Sequence, residues 1–235
     1  MFESNRLRTQ LYGLVQAKNH TAKRSERRGK HLDKTRIARL VSGDFRVFSQ
    51  AAQRVKPNTA VHLLIDLSSS MDDKPIQGKS SASIAKESAL ALPFALESIH
   101  GVNVAVTYFC TYQRANFFPI VKHGEKVRQK AKLFNRQTCG RTPLAESLWY
   151  AGAQIVQTKN DRKIILVVTD GKPDNANHAL DAIEICKRSG LELIGVGIRN
   201  PIVSHFFENH INITQTHELG PALFSLIEKK LVAAA

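Results

Sequence analysis

Along the last three-quarters of this 235-residue chain, apolar and polar positions switch repeatedly between two periods. Short apolar runs, partly β-branched, occupy 60–66, 102–110, 162–169 and 191–197. Each has the length and continuity of a strand buried on both faces. Between and after them, apolar residues recur at helical spacing over 80–99, 124–135, 143–157, 175–189 and 218–232. Alternating strand and helix predict a doubly wound α/β domain, with a mostly parallel sheet and helices on both faces. One stretch breaks the alternation. RANFFPIV at 114–121 follows the second strand after a short turn, which predicts an antiparallel partner, and Pro119 places that strand at an edge.

The first fifty-odd residues read differently. Leu7, Leu11, Leu14 and Val15 form a helical stripe over 3–17, and a second short helix is expected over 33–41, capped by Asp33 and presenting Ile37, Leu40 and Val41. The stretch 44–56 alternates weakly, as one or two strands would, and Pro57-Asn58 marks a turn. The expected division is a basic, mostly helical arm with a short strand segment over 1–57, and the α/β domain over 58–235. Charge follows that division: residues 1–56 carry fourteen Lys or Arg against four Asp or Glu, a net of +10, and the remainder twenty against sixteen, a net of +4.

Within the arm, KNHTAKRSERRGKHLDKTRIAR could meet phosphates through Lys23, Arg24, Arg27 and Arg28, making DNA or RNA binding the alternative function. The plainer reading is a solvated helical face or an acidic protein partner. It is favoured because no aromatic residue for stacking stands between Asn19 and Leu40.

No stretch has the eighteen or so uninterrupted apolar residues of a membrane helix, and MFESNRLRTQ lacks the apolar core of a signal peptide, so a cytoplasmic protein is expected. Cys110, Cys139 and Cys186 are widely spaced and odd in number. They read as reduced packing residues, with Cys139 close enough to Thr142 to line a site. Trp149 and Phe206-Phe207 read as packing residues. His205, His210 and His217 do not have a recognisable ligand spacing and read as scattered polar or capping side chains.

Candidate chemistry lies at strand ends. Asp66 follows the apolar run 61–65, and Asp170 follows 164–168. Carboxyl ends of strands in an open α/β sheet are where ligands bind. With Ser68 and Ser70 of IDLSSSM and Thr142 of GRTPL, the two carboxylates make a hard, all-oxygen set suited to Mg2+ or a similar divalent cation such as Mn2+ or Ca2+. Each residue alone has a simpler explanation. Ser and Asp at strand ends start turns, Thr142 before Pro143 looks like a helix N-cap, and Asp174 and Asn175 could cap the helix after Asp170-Gly171.

Enzyme patterns fail on the same residues. A haloacid-dehalogenase-type phosphatase needs an acidic residue where Ser68 stands. A phosphate-binding loop ending in Gly78-Lys79-Ser80 would need glycine at Asp73, and a serine hydrolase elbow needs glycines that flank neither Ser68 nor Ser70. No catalytic residue is expected.

The order Asp-Leu-Ser-Ser-Ser, a distant Thr, then Thr-Asp-Gly is similar to the metal-ion-dependent adhesion site of von Willebrand factor A domains, over about residues 58–232. The resemblance implies that Asp66, Ser68, Ser70, Thr142 and Asp170 surround one divalent cation and that an acidic group of a partner completes its shell. GKHLDKTRIARLVSGDFRVFSQ, DLSSSM and TDGKPDN together resemble the carboxyl-terminal part of the CobT-type subunit of aerobic cobaltochelatase. That resemblance implies a non-catalytic adaptor of an AAA+ ATPase, engaged in metal insertion, as in cobalamin biosynthesis, or in remodelling a client.

Overall fold

The computed structural model describes residues 58–72 and 80–218, together with 25–26, 31–32, 42–43, 48–49 and position 222. The chain divides into two compact units, one over 16–56 and one that includes 57–235. In the first, β1 (Ser25–Glu26), β2 (His31–Leu32) and β3 (Phe48–Ser49) form an antiparallel sheet in the order β1-β3-β2. Two strand pieces thus fall inside the charge run, where a helical face was expected. Both pair with Phe48–Ser49, and such a distant partner leaves no mark on local periodicity. The helices expected over 3–17 and 33–41 lie outside the described residues.

The second unit is a six-stranded sheet in the order β6-β5-β4-β7-β8-β9. Its strands are β4 (Thr59–Asp66), β5 (Val102–Tyr112), β6 (Ala115–Val121), β7 (Arg162–Thr169), β8 (Glu192–Ile198) and β9 (His210–Ile213). All pairings are parallel except β5 with β6, so 114–121 is the antiparallel edge that the short turn and Pro119 predict. Every residue of β4 is buried, as a central strand covered on both faces requires. Strand β9 was not anticipated; four residues are too few to show a period.

Helices α1 (Ser81–Glu97), α2 (Leu144–Val156) and α3 (Ala176–Arg188) follow the predicted spans closely. One core joins α2 and α3 to the strand residues Ala60, Leu64, Ile165, Val167 and Leu193. Burial of the leucine, isoleucine and valine side chains among them stabilises by roughly 1.5–3 kcal/mol each. The helix expected over 124–135 is instead a 3-10 helix, Val127–Phe134, anchored at its ends by buried Val127 and Phe134 while five of its eight residues are Lys, Arg, Gln or Ala. Trp149 is not a packing anchor: it is 49% exposed. The buried stripe of α2 runs through Leu144, Leu148, Ala151 and Ile155, and Trp149 lies about 100° off that stripe. Phe207 is buried as expected.

Candidate metal centre

Reading outward from β4, the order β6-β5-β4-β7-β8-β9 reverses direction between β4 and β7, and the carboxyl ends of these two strands flank the crevice where α/β sheets bind ligands. Asp66 ends β4 and Asp170 follows β7. The loop after Asp66 turns at once. Leu67 N–H donates to the Phe109 carbonyl at 3.0 Å, Ser68 N–H donates to Asp66 Oδ1 at 2.7 Å, and Ser69–Met71 form a 3-10 turn held by buried Met71.

From there the oxygens link in series: Ser68 Oγ and Ser70 Oγ are 2.9 Å apart, and Ser70 Oγ donates to Asp170 Oδ1 at 2.9 Å. Two serines and a carboxylate thereby connect loops a hundred residues apart. Thr142 comes from a third loop and is buried. A Cβ placed on Gly171 would lie 3.2 Å from Ser70 Oγ and 3.9 Å from Thr142 Oγ1, so both hydroxyls border the same small space beside Gly171.

The loop carrying Thr142 is pinned on three sides. Ser69 N–H donates to the Gly140 carbonyl at 3.0 Å, Cys139 N–H to the Leu67 carbonyl at 2.8 Å, and Thr111 N–H to the Arg141 carbonyl at 3.2 Å. Asp174 closes it reciprocally: its Oδ1 accepts from Thr142 N–H and its own N–H donates to the Thr142 carbonyl, both at 3.0 Å. The simple explanation of Thr142 as an N-cap therefore does not hold. Helix α2 starts at Leu144, with Pro143 in the cap position and no side-chain cap bond. Asn175 does cap α3, through His178 N–H at 3.1 Å, whereas Asp174 serves the Thr142 loop.

Asp66 is fully buried, and burial pushes its carboxyl up to about 7 despite the donors from Thr169 and Ser68. The neighbours that bear on its charge are Thr169, Ser68 and Asp170, none of them cationic. A carboxylate withdrawn from water without a positive partner is costly, and a divalent cation offsets that cost. The donor set of two carboxylates and three hydroxyls fits a hard cation.

Two contributors escaped the sequence reading. Thr169 Oγ1 donates to Asp66 Oδ2 and accepts from Gly171 N–H at 3.2 Å. Asn200 Nδ2 donates to the Asp170 carbonyl at 2.8 Å, so the loop after β8 braces the one after β7. A Thr ending a β-branched strand and an Asn before Pro201 are too common in strands and turns to signal a site.

The cysteines require a correction. Cys110 and Cys139 are joined by a disulfide, with Cα atoms 5.7 Å apart, and Cys186 alone is free and buried. Backbone bonds that lay the Cys139 loop across the ends of β4 and β5 bring the pair together, and nothing in a 29-residue spacing reveals that. His210 uses Nδ1 on the Phe207 carbonyl at 2.9 Å, a turn-stabilising contact. Lys23, Arg24, Arg27 and Arg28 lie outside the described residues.

The sequence profile of the von Willebrand factor type A domain matches residues 60–217. Curated proteins yielded no match. Among solved structures, the pilus adhesin SpaC of Lactobacillus rhamnosus GG is similar at 15% identity and a TM-score of 0.59, over 77% of this chain and 31% of that one. Manganese-loaded TRAP of Plasmodium vivax is similar at 16% identity and a TM-score of 0.54, over 72% of this chain and 73% of that one. Proximal thread matrix protein 1 from the mussel byssus, its MIDAS motif occupied by zinc, is similar at 12% identity and a TM-score of 0.57, over 74% and 46%. At such identities the likeness is one of fold, and this chain spans under a third of the length of SpaC.

Proposed function

Because the chain belongs to the von Willebrand factor type A family, whose domains are for the most part non-catalytic adhesion or interaction modules, we propose that it is a divalent-cation-dependent protein-recognition module. In this reading Asp66, Ser68, Ser70, Thr142 and Asp170 hold the cation, Mg2+ or alternatively Mn2+ or Ca2+, directly or through water. The cation supplies a positive centre for an acidic side chain of a partner. The observation that carries the reading is the series of side-chain oxygens from Ser68 through Ser70 to Asp170, set beside a buried Asp66 with no cationic neighbour. The manganese of TRAP and the zinc in the MIDAS motif of proximal thread matrix protein 1 support it by analogy.

The residues divide the work. Asp66 and Asp170 contribute the negative charge, the three hydroxyls contribute neutral oxygens that add no further negative charge against an incoming carboxylate of the partner, and Thr169 orients Asp66. The adaptor role beside an AAA+ ATPase, with hydrolysis on the partner and metal insertion or client remodelling as the outcome, rests on the cobaltochelatase-like stretches 29–50, DLSSSM and TDGKPDN. Calorimetry of the full chain with Mg2+ tests the site. Uptake by the native protein and its loss in Asp66→Ala are expected, and equal uptake by both would overturn the reading. The adaptor role predicts that an AAA+ ATPase is retained on the immobilised native chain with Mg2+ and released by a chelator.

A further inference from the structure

From Arg114 to Arg141 the chain carries eight Lys or Arg and one acidic residue, Glu125. The rest of the chain from residue 57 onward carries twelve Lys or Arg against fifteen Asp or Glu. This segment accounts for all the positive excess of the domain.

The fold lays the segment along one edge. Arg114 stands in the turn between β5 and β6, at the same end of the sheet as Asp66, and β6 then runs down the edge to Val121 and Lys122. The 3-10 helix 127–134 returns along it. Val127 N–H donates to Glu97 at the end of α1 at 3.1 Å, and the Phe134 carbonyl receives the Tyr108 hydroxyl at 3.0 Å. Arg136 lies 3.6 Å over the Phe118 ring, and exposed Arg141 adjoins Thr142. The run of cations therefore ends at the candidate metal centre. Lys130 is neutralised by Glu125 at 3.1 Å and Lys126 lies 3.9 Å from Glu97. Arg114, Arg128, Lys132 and Arg141 are exposed and lack a carboxylate partner among the described residues.

Like charges gathered on one edge repel one another, and a polyanionic partner relieves that repulsion. A single-stranded nucleic acid would use several aromatic faces for stacking, yet on this edge Phe117 is already stacked on Tyr150, with centroids 4.3 Å apart, and Phe118 lies under Arg136, which leaves Tyr112 as the one exposed ring there among the described residues. An acidic polypeptide needs no such platform. Exposed Leu133 and Tyr112 offer it apolar contact beside the cations.

We propose that the β6 edge and the 122–141 segment form a docking strip for an acidic stretch of a protein partner, whose carboxylate at one end reaches the metal centre. The last clause rests on the cation reading above; the strip itself does not.

The test measures binding of a fluorescent glutamate-rich peptide, and of oligothymidylate of equal charge, to the full chain, with Mg2+ titrated separately by calorimetry. The strip predicts salt-sensitive peptide binding that weakens about tenfold or more in Arg128→Glu/Lys132→Glu, with a flatter salt dependence, while Mg2+ uptake stays native. Unchanged peptide affinity in that variant overturns the strip and leaves the cation site intact. Tighter binding of oligothymidylate than of peptide overturns the choice of a protein partner. Should the native chain take up no Mg2+, the cation reading fails alone, and a charge-reversal effect on the peptide still supports the strip.

Discussion

A single methyl group tests how closely the candidate site is built. Gly140 has φ +48°, and a Cβ there would fall 1.9 Å from the Thr111 carbonyl oxygen. Gly140→Ala therefore forces the loop away from β5, and with it Thr142 two residues on. Left-handed strain alone costs on the order of 1–3 kcal/mol. We expect a lower denaturant midpoint and weaker Mg2+ binding by calorimetry; native values for both would show that the loop yields freely. Asp66 and Asp170 could be found in the sequence because a lone carboxylate after an apolar run is chemically conspicuous. Thr169, which completes the bonding of Asp66, could not, since its hydroxyl matters only once β7 lies beside β4.

Two groups that titrate in opposite senses sit on one element, β4. Near its start, His62 is buried against Thr107 and His123, and burial, aided by the nearby His123, lowers it from 6.5 to about 3. At its end, Asp66 is raised from 3.8 to about 7 by burial. With a depressed folded pKa, His62 contributes stability that is complete above 6.5 and lost as pH falls toward about 3. With a raised folded pKa, Asp66 contributes stability in cation-free buffer that is complete below 3.8 and lost as pH rises through about 7. Between these values the slopes oppose one another. Asp66→Asn should uncover the histidine slope, so that stability falls with pH below 6.5 by up to about 1.4 kcal/mol per pH unit per histidine. Denaturant unfolding of that variant at several pH values checks this, and a flat profile counts against a buried neutral His62.

The loop element carrying Thr142 offers another test. The Cys110–Cys139 bond closes a 29-residue interval, for which chain-entropy arguments give about 3–4 kcal/mol. Reduction, or Cys139→Ser, should lower the thermal midpoint and loosen Mg2+ binding together, because the same loop bears both groups. Loss of stability with unaltered Mg2+ affinity would separate the bond from the site.

For the whole molecule, the proposed cation site links binding to folding. At a hundredfold excess over Kd, Mg2+ should stabilise the native chain by about 2.7 kcal/mol, and Asp170→Ala should remove that gain. Thermal melts with Mg2+ and with a chelator measure it. No helix among the described residues is long and apolar enough to cross a membrane. A cytoplasmic setting, expected from the sequence, would keep Cys110 and Cys139 reduced, whereas an oxidising one would preserve their bond. What the sequence determined by itself was whatever periodicity and strand-end chemistry encode locally: four parallel strands, the antiparallel edge with Pro119, three helices, and two acidic positions at strand ends. Tertiary structure alone decided which distant groups meet. It joined Ser70 to Asp170, turned Asp174 to Thr142 instead of to a helix cap, and paired Cys110 with Cys139. Such contacts span tens of residues or more and depend on strand order, and local spacing does not carry that order.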